Sequence, residues 1–430
     1  MTTIEDTTAI DRNLLAALAG RPSSFRALLQ LLNGEYPSDV LTALRRAAPD
    51  PLIETLLVDA GLSARTVSNQ IAELPLPHPC DFEWRFTSGT AVAMLARLED
   101  ATQPADTTLL VGMPSLVVAA NRSALDRHWN VIGTDDIIWS VLSKLTRDDA
   151  RFAVVSAETR PVTAAIVDPP WYPSAYDEMF DAFVRRCAIG AIVLVGAPPS
   201  GARPNAEADV AAMIAAAKGF GLEFQSLEPG VLRYRSPAFE LAALAQAGIR
   251  THLPDWRRGD LITFRKTRDV APAPATIERP AAFEVTLDGV RFRALFTNPN
   301  DDGPLTPLTE SEIFPTVSTR AEGRSRANFW TSGNRAFQAP LPQAVAALAA
   351  LALDHGVASD PMNSLEKLVA LGNRSATQAL MWQFHDVAVR ETAAMEELVG
   401  AQSWLRSVKD ARFLNSSSST FLRDRLGGGA

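Results

Sequence analysis

Apolar positions follow two different periods along the chain, and the change of period divides it into regions. Between residues 82 and 268, short apolar runs alternate with longer stretches in which apolar residues recur every three or four positions. This alternation predicts an α/β, Rossmann-like region: a parallel sheet with helices on both faces. The predicted strands are residues 108–112, 130–134, 152–156, 163–167 and 191–195, and the helices between them are residues 115–127, 136–144, 176–186 and 206–218.

The N-terminal region, residues 1–81, has the apolar spacing of short helices. Residues 56–74 have the pattern of a helix-turn-helix, with Gly61 in the turn and Ser63 as the N-cap of the second helix. The second helix carries only Arg65, Asn69 and Gln70 as side chains able to reach a phosphate or a base edge. We therefore favour a structural, winged-helix-like region over DNA binding.

Two further regions follow the predicted sheet. Residues 269–340 begin with a Pro/Ala-rich linker at residues 270–280 and continue with alternating residues 283–296 around Asp288-Gly289, which predicts a β-hairpin and a small β element. Residues 341–430 are Ala/Leu-rich and predicted to be helical, with an interruption at residues 356–361 and a Ser-rich tail. The predicted domains are residues 1–81, 82–268, 269–340 and 341–430.

Composition and charge narrow the class of protein. The 430 residues are 47% hydrophobic and carry a formal net charge of -8, the wrong sign for a protein that coats nucleic acid. Two distant cysteines predict no disulfide framework, and five histidines at no ligand spacing predict no metal site. The N-terminus is acidic and no apolar run is long enough to span a bilayer, so we expect a cytoplasmic protein without membrane contact.

The sequence Asp168-Pro169-Pro170-Trp171-Tyr172 directly follows the predicted strand 163–167. Ligands of open α/β sheets bind just beyond the carboxyl ends of the strands. Because prolines fix φ and lack an N–H, the Asp168 carboxylate and the Pro169 carbonyl form a fixed pair of acceptors. Two acceptors suit an amine nitrogen, and the aromatic residues can stack on a planar base or lie against an alkylammonium. An ordinary strand exit is the alternative.

This motif resembles the DPPY/DPPW catalytic motif of class I S-adenosylmethionine-dependent methyltransferases that modify exocyclic or aliphatic nitrogen, and the order of strands and helices resembles their fold. With the N-terminal region and the short spacing from Gly112 to Asp168, it is most similar to the branched-chain polyamine synthases, which transfer an aminopropyl group from decarboxylated S-adenosylmethionine. The resemblance implies catalytic roles for residues 168–172 and S-adenosylmethionine, or its decarboxylated form, as cofactor.

The resemblance also implies a cofactor site. Gly112 matches the turn after the first strand, and Ser115 opens the next helix. This turn keeps only one glycine of the family's usual set. The polyamine synthases carry acidic residues after the glycine, where this chain has Met113-Pro114. That departure counts against aminopropyl transfer.

The remaining candidates lie further from the motif. Asp135 or Asp136 matches the acidic residue on the cofactor ribose, and Glu158 matches the acceptor of the adenine amino group; a helix N-cap and a solvated loop are the respective alternatives. For the substrate we single out Tyr176, together with an arginine-rich segment that would cover Asp168 as a lid or acceptor site. A loop whose tryptophan plugs a domain seam while its arginines stay solvated is the alternative reading of that segment. Its residues are Arg320, Arg324, Arg326 and Trp330.

These observations predict an N-alkyltransferase, foremost a methyltransferase acting on an amine nitrogen. The alternatives are an aminopropyltransferase, an adenine-specific nucleic-acid methyltransferase, and a non-catalytic methyltransferase-like interaction module. The acidic charge favours a small amine over duplex DNA. The sequence does not determine the oligomeric state, and a homo-oligomer is compatible with it.

Overall fold

The chain forms two compact units, each assembled from separate segments. Residues 1–64, 83–236 and 248–277 make the first unit, and residues 65–82, 237–247 and 278–430 make the second. A computed structural model describes residues 9–62, 71, 73–81, 84–132, 136–154, 161–184, 186–251, 253, 255–270, 282–296, 304–318, 321–354 and 374–399. The second helix of the predicted helix-turn-helix, the linker after residue 270 and the Ser-rich tail lie outside these residues. The predicted domain boundaries remain a prediction.

The first unit contains a seven-stranded sheet in the order β3-β2-β1-β4-β5-β7-β6. Neighbouring strands pair in parallel from β3 across to β5, and β7 runs antiparallel to both of its neighbours. All five predicted strands are present, which confirms the α/β prediction. The strands are β1 (Thr107–Val111), β2 (His128–Ile132), β3 (Phe152–Val154), β4 (Val162–Val167), β5 (Cys187–Ala197), β6 (Leu222–Arg233) and β7 (Arg258–Lys266).

Helices cover both faces of this sheet because its inner strands are apolar on both sides. Every residue of β1 is buried, as expected for a central parallel strand. Local sequence sets the helix starts: Ser24 and Asp50 accept N-cap hydrogen bonds, and Pro114 opens the helix after β1. The described helices are α1 (Ala9–Ala19), α2 (Phe25–Leu31), α3 (Pro37–Arg46), α4 (Pro51–Gly61), α5 (Ser88–Ala101), α6 (Pro114–Arg122), α7 (Asp136–Leu145), α8 (Pro173–Val184) and α9 (Ala206–Ala217).

The second unit contains an antiparallel sheet in the order β10-β12-β11-β9-β8 and three described helices. Asp288 and Gly289 have φ of 49° and 84° and join β8 to β9, which confirms the predicted hairpin. In the core between sheet and helix, Phe329 stacks on Phe384, and Phe292 packs against both rings at a tilt. The elements are α10 (Ala238–Gln246), β8 (Ala282–Leu287), β9 (Val290–Leu295), β10 (Thr306–Pro307), β11 (Phe329–Thr331), β12 (Ala336–Gln338), α11 (Leu341–Asp354) and α12 (Arg374–Val399).

A buried group of charged side chains ties residues 73–81 to the sheet of the second unit. Arg291 lies 2.7 Å from Asp81 and 2.6 Å from Glu284, and Arg293 lies 2.7 Å from Asp81. Burial alone would raise the pKa of Asp81, but the two arginines hold it well below its usual range. The four charges are therefore mutually compensated. None of the helices described in either unit combines the length and the apolar composition that a bilayer span requires.

Candidate functional site

The candidate site lies where two neighbouring central strands end. β1 pairs with β2 on one side and with β4 on the other, so the chain leaves β1 and β4 toward opposite halves of the sheet. Ligands of open α/β sheets bind in the crevice at such a switch point. Gly112 follows β1 with φ of 72°, and Asp168 follows β4 and donates its backbone N–H to the Val111 carbonyl oxygen at 3.3 Å. Both residues therefore stand at the same edge.

The Asp168 carboxylate is held from two directions. The Tyr234 hydroxyl donates to Asp168 Oδ1 at 2.9 Å. On the neighbouring strand β5, a Cβ built on Gly196 would lie 2.2 Å from the same oxygen, so a glycine is needed for the carboxylate to occupy this place. The position of Asp168 thus depends on Gly196 of β5 and on Tyr234, which directly follows β6.

Two buried tyrosines support this arrangement. Burial and the nearby charge of Asp168 raise the pKa of Tyr234 well above its usual value, so its hydroxyl remains a protonated donor. Tyr176, a predicted substrate residue, is buried and donates its hydroxyl to the Gly196 carbonyl oxygen at 3.1 Å. Its hydroxyl therefore fixes the end of β5 beside Asp168.

The rest of the motif forms a wall next to the carboxylate. Pro169 is buried, whereas Pro170, Trp171 and Tyr172 are half-buried. The Trp171 ring meets the Tyr234 ring edge to face at a centroid distance of 5.7 Å. A Cβ on Gly259 of β7 would come within 3.0 Å of both rings, so this glycine permits their close packing.

An arginine stands beside this wall. The Arg257 guanidinium carbon lies 4.6 Å from the Trp84 ring centre, 4.8 Å from that of Trp256 and 5.9 Å from that of Trp171. Sequence analysis missed Tyr234, Arg257 and Trp84. They flank strands of the antiparallel end of the sheet or precede α5, and no local motif marks them.

The predicted cofactor residues are placed only in part. Ser115 is buried at the start of α6, where its Oγ accepts the Phe86 N–H at 3.0 Å. Met113 is also buried. Asp136 begins α7, but its side chain lies outside the described residues, as do Asp135 and Glu158. Their cofactor roles remain predictions.

The predicted lid residues belong to the second unit. Trp330 is buried in a strand, β11, and not in a loop. The Arg324 guanidinium lies 4.3 Å from the Trp330 ring centre and donates to the Pro79 carbonyl oxygen at 2.9 Å. Arg324 is therefore buried and paired, whereas the loop interpretation predicts solvated arginines. Arg326 is exposed, and Arg320 lies outside the described residues.

Comparison with known proteins gives likeness in structure alone. No protein-family model matches the chain, and no curated protein matches it. A mutein of the branched-chain polyamine synthase from Thermus thermophilus, solved with N4-aminopropylspermidine and 5'-methylthioadenosine, is 14% identical over 63% of this chain and 90% of that chain, with a TM-score of 0.48. The geranyl diphosphate C-methyltransferase from Streptomyces coelicolor A3(2), solved with S-adenosyl-L-homocysteine, is 15% identical over 42% and 76% of the two chains, with a TM-score of 0.29.

The strand order identifies the fold of the first unit. The five parallel strands β1 to β5 are followed in the sheet by β7, which runs in the opposite direction and lies between β5 and β6. This arrangement makes a class I methyltransferase-like sheet. The fold that the sequence motif implies is therefore confirmed. The chemistry of the site is a separate question, because one fold supports many functions.

Proposed function

We propose that the protein is an N-alkyltransferase that methylates an amine nitrogen with S-adenosylmethionine as donor. The observation that carries this proposal is the Asp168 carboxylate, fixed by Tyr234 at the mouth of a central parallel strand beside an aromatic wall. Bound S-adenosylmethionine supplies a methyl group on a sulfonium, which is an electrophile that needs no covalent help from the protein.

The residues of the chain act on the amine. Asp168 and the Pro169 carbonyl accept its N–H hydrogen bonds, which orients the nitrogen lone pair for in-line attack. As the nitrogen–carbon bond forms and the carbon–sulfur bond breaks, Asp168 takes the proton that the amine loses. Trp171 and Tyr172 enclose the nitrogen and exclude water.

The turn after β1 favours the carboxylated donor over decarboxylated S-adenosylmethionine. Gly112 turns the chain directly into α6, whose N-terminus carries a positive partial charge that suits a carboxylate. Met113, buried at this turn, provides no acid for the donor amine. Aminopropyl transfer is the second candidate, and binding of the two donors separates them.

Calorimetric titration with S-adenosylmethionine, its decarboxylated form and S-adenosylhomocysteine tests the donor. We expect S-adenosylmethionine and S-adenosylhomocysteine to bind. If none of the three binds at millimolar concentration, the chain is the non-catalytic module and the proposal fails.

Asp168→Asn tests the chemistry. Transfer to a panel of primary amines should fall by a factor of about 10² to 10⁴, the usual contribution of a general base, while donor affinity is retained. Asp177→Asn, an exposed position on α8, is the matched control and should keep the wild-type rate. Full activity of Asp168→Asn would remove the proposed role of the motif.

A further inference from the structure

A short segment before α5 pairs with the chain directly after β6, beside the Asp168 carboxylate. Phe86 and Tyr234 face each other there in an isolated antiparallel bridge. The two backbone hydrogen bonds of this bridge, at 3.0 and 2.8 Å, are made by the residues on either side of each partner. Phe86 and Tyr234 are therefore a non-hydrogen-bonded pair, in which the Cα atoms approach to about 4.5 Å and the side chains are closest. Their ring centroids lie 5.2 Å apart, so the position of the Tyr234 ring depends on that of Phe86.

The backbone groups of Phe86 find their partners outside the bridge. In a non-hydrogen-bonded pair, the N–H and the C=O of each residue point away from the opposite strand. The Phe86 N–H donates to Ser115 Oγ at 3.0 Å, and the Phe86 carbonyl oxygen accepts from Arg235 Nε at 3.0 Å. Phe86 and Ser115 are 2% and 4% exposed, so loss of the serine oxygen would leave a buried N–H without this acceptor.

Contacts therefore run without a break from the start of α6 to the Asp168 carboxylate. Ser115 is the second residue of α6, the helix that begins two residues after Gly112. Its oxygen holds the backbone of Phe86, and the Phe86 ring packs against the Tyr234 ring. The Tyr234 hydroxyl donates to Asp168 Oδ1 at 2.9 Å. A change at Ser115 thus reaches Asp168 through two buried aromatic residues.

We propose that Ser115 is a positioning residue for the transfer step: its hydroxyl oxygen holds Phe86, and Phe86 holds Tyr234 in the place from which it orients Asp168. This role differs from the cofactor contact that the family resemblance implies for Ser115. The inference rests on the proposed function, because it takes Asp168 to accept the amine N–H. Loss of the Ser115 hydroxyl should therefore lower the rate of transfer and spare donor affinity.

Ser115→Ala tests this separation of rate from binding. Without its acceptor the Phe86 N–H shifts toward another partner, and Tyr234 moves with the ring it packs against. We expect kcat to fall by about three- to tenfold, less than in Tyr234→Phe, while affinity for S-adenosylhomocysteine stays within about twofold. Ser123→Ala, at the other end of α6, is the matched control and should keep the wild-type kcat.

A double-mutant cycle separates positioning through Tyr234 from a general effect on folding. If Ser115 acts through the Tyr234 hydroxyl, Ser115→Ala should change kcat by less than about twofold in a Tyr234→Phe background. Three results would overturn the inference: an unchanged kcat in Ser115→Ala, effects of the two substitutions that multiply, or a loss of donor affinity larger than the loss of kcat. The last result would make Ser115 a ligand of the donor.

A spectroscopic measurement tests the same contacts without turnover. The chain has four tyrosines, so the Tyr234 ring resonance can be assigned in protein with isotopically labelled tyrosine by comparison with Tyr234→Phe. Asp168→Ala gives the change in chemical shift that loss of the hydrogen bond causes, and Ser115→Ala should produce a smaller change in the same direction. Ser115→Cys, whose sulfur is a weaker acceptor, should show this change too and carries the test if Ser115→Ala does not fold.

Failure of the inference is distinguishable from failure of the proposed function. An unchanged Tyr234 resonance in the Ser115 variants refutes the inference, even where the wild type transfers a methyl group. Absence of transfer from the wild type to every amine refutes the proposed function, and the Tyr234 resonance then decides by itself whether Ser115 positions Tyr234.

Discussion

Because Gly196 has no side chain, the Asp168 carboxylate can occupy its observed position. An alanine Cβ at this position would lie 2.2 Å from Oδ1 and 3.1 Å from Cγ of Asp168, so the carboxylate would have to move. A displacement of about 1 Å commonly costs a factor of 10² in rate. We expect Gly196→Ala to lower kcat by about that factor without changing donor affinity.

Steady-state kinetics measure kcat, and donor titration on the same preparation measures donor affinity. Gly219→Ala is the control, since its added Cβ would meet nothing within 4 Å. A Gly196→Ala enzyme with wild-type kcat would show that the observed position of Asp168 is not needed for transfer.

Tyr234→Phe tests the hydrogen bond itself. A hydrogen bond to a charged group contributes about 1.5–3 kcal/mol, so kcat should fall by a factor of about 10 to 100. Because the pKa of Tyr234 is raised, its donating form persists above the usual range of tyrosine, and it adds no loss of activity between neutral and mildly alkaline pH. Between neutral and mildly alkaline pH, the pH–rate profiles of the wild type and the variant should therefore have the same shape at different heights. An alkaline decline present only in the wild type would contradict this.

Among the elements, helix α12 is joined to the β11–β12 turn by a buried acid. Glu391 accepts hydrogen bonds from the hydroxyls of Thr331 and Ser332, the latter at 3.0 Å. Burial raises the pKa of Glu391 to about 7, although these hydroxyls and Arg335 act in the opposite direction. Since the unfolded chain releases this proton near pH 4.5 and the folded chain retains it until about pH 7, stability falls as pH rises through this interval.

The free energy of unfolding is expected to fall by roughly 3 kcal/mol between pH 4.5 and 7 and to stay constant above pH 7 as far as Glu391 is concerned. Glu391→Gln removes the titration, so the variant should be more stable than the wild type at pH 8 and lack this dependence. Urea unfolding at pH 5 and pH 8 measures the difference. Equal pH dependence of unfolding in the two proteins would assign it to other groups.

At this scale the sequence predicts the elements well where their pattern is local. The five apolar runs of the parallel strands and the Asp288-Gly289 turn carry their own signals, and all appear in the structure. The antiparallel end of the sheet could not be ordered from the sequence, because β7 lies between β5 and β6 and its pairing is non-local. Tyr234 follows β6 and Arg257 precedes β7, so the motif predicted Asp168 but not the residues that surround it.

Each of the two units is assembled from segments that are not consecutive in the chain. Residues 65–82 and 237–247 belong to the second unit although the first unit supplies the sequence on either side. In α10, Leu241 and Ala242 are buried in the core shared with α11 and α12. A chain ending at residue 277 would therefore leave this helix without its core.

We expect such a truncated protein to self-associate through the exposed apolar surface of α10, whereas the full chain does so less. Sedimentation velocity at matched concentrations compares the two. A truncated chain that is folded and sediments as one small species would show that residues 237–247 do not depend on the C-terminal segment.

The tryptophans around Arg257 also make the intrinsic fluorescence of the protein a probe of this site. Of eight tryptophans, Trp84, Trp171 and Trp256 lie around this one guanidinium. Indole emission is sensitive to its surroundings, so a ligand that binds at this aromatic wall should change the intrinsic fluorescence. Arrival of a ligand could then be followed in real time, without a label or a coupled assay.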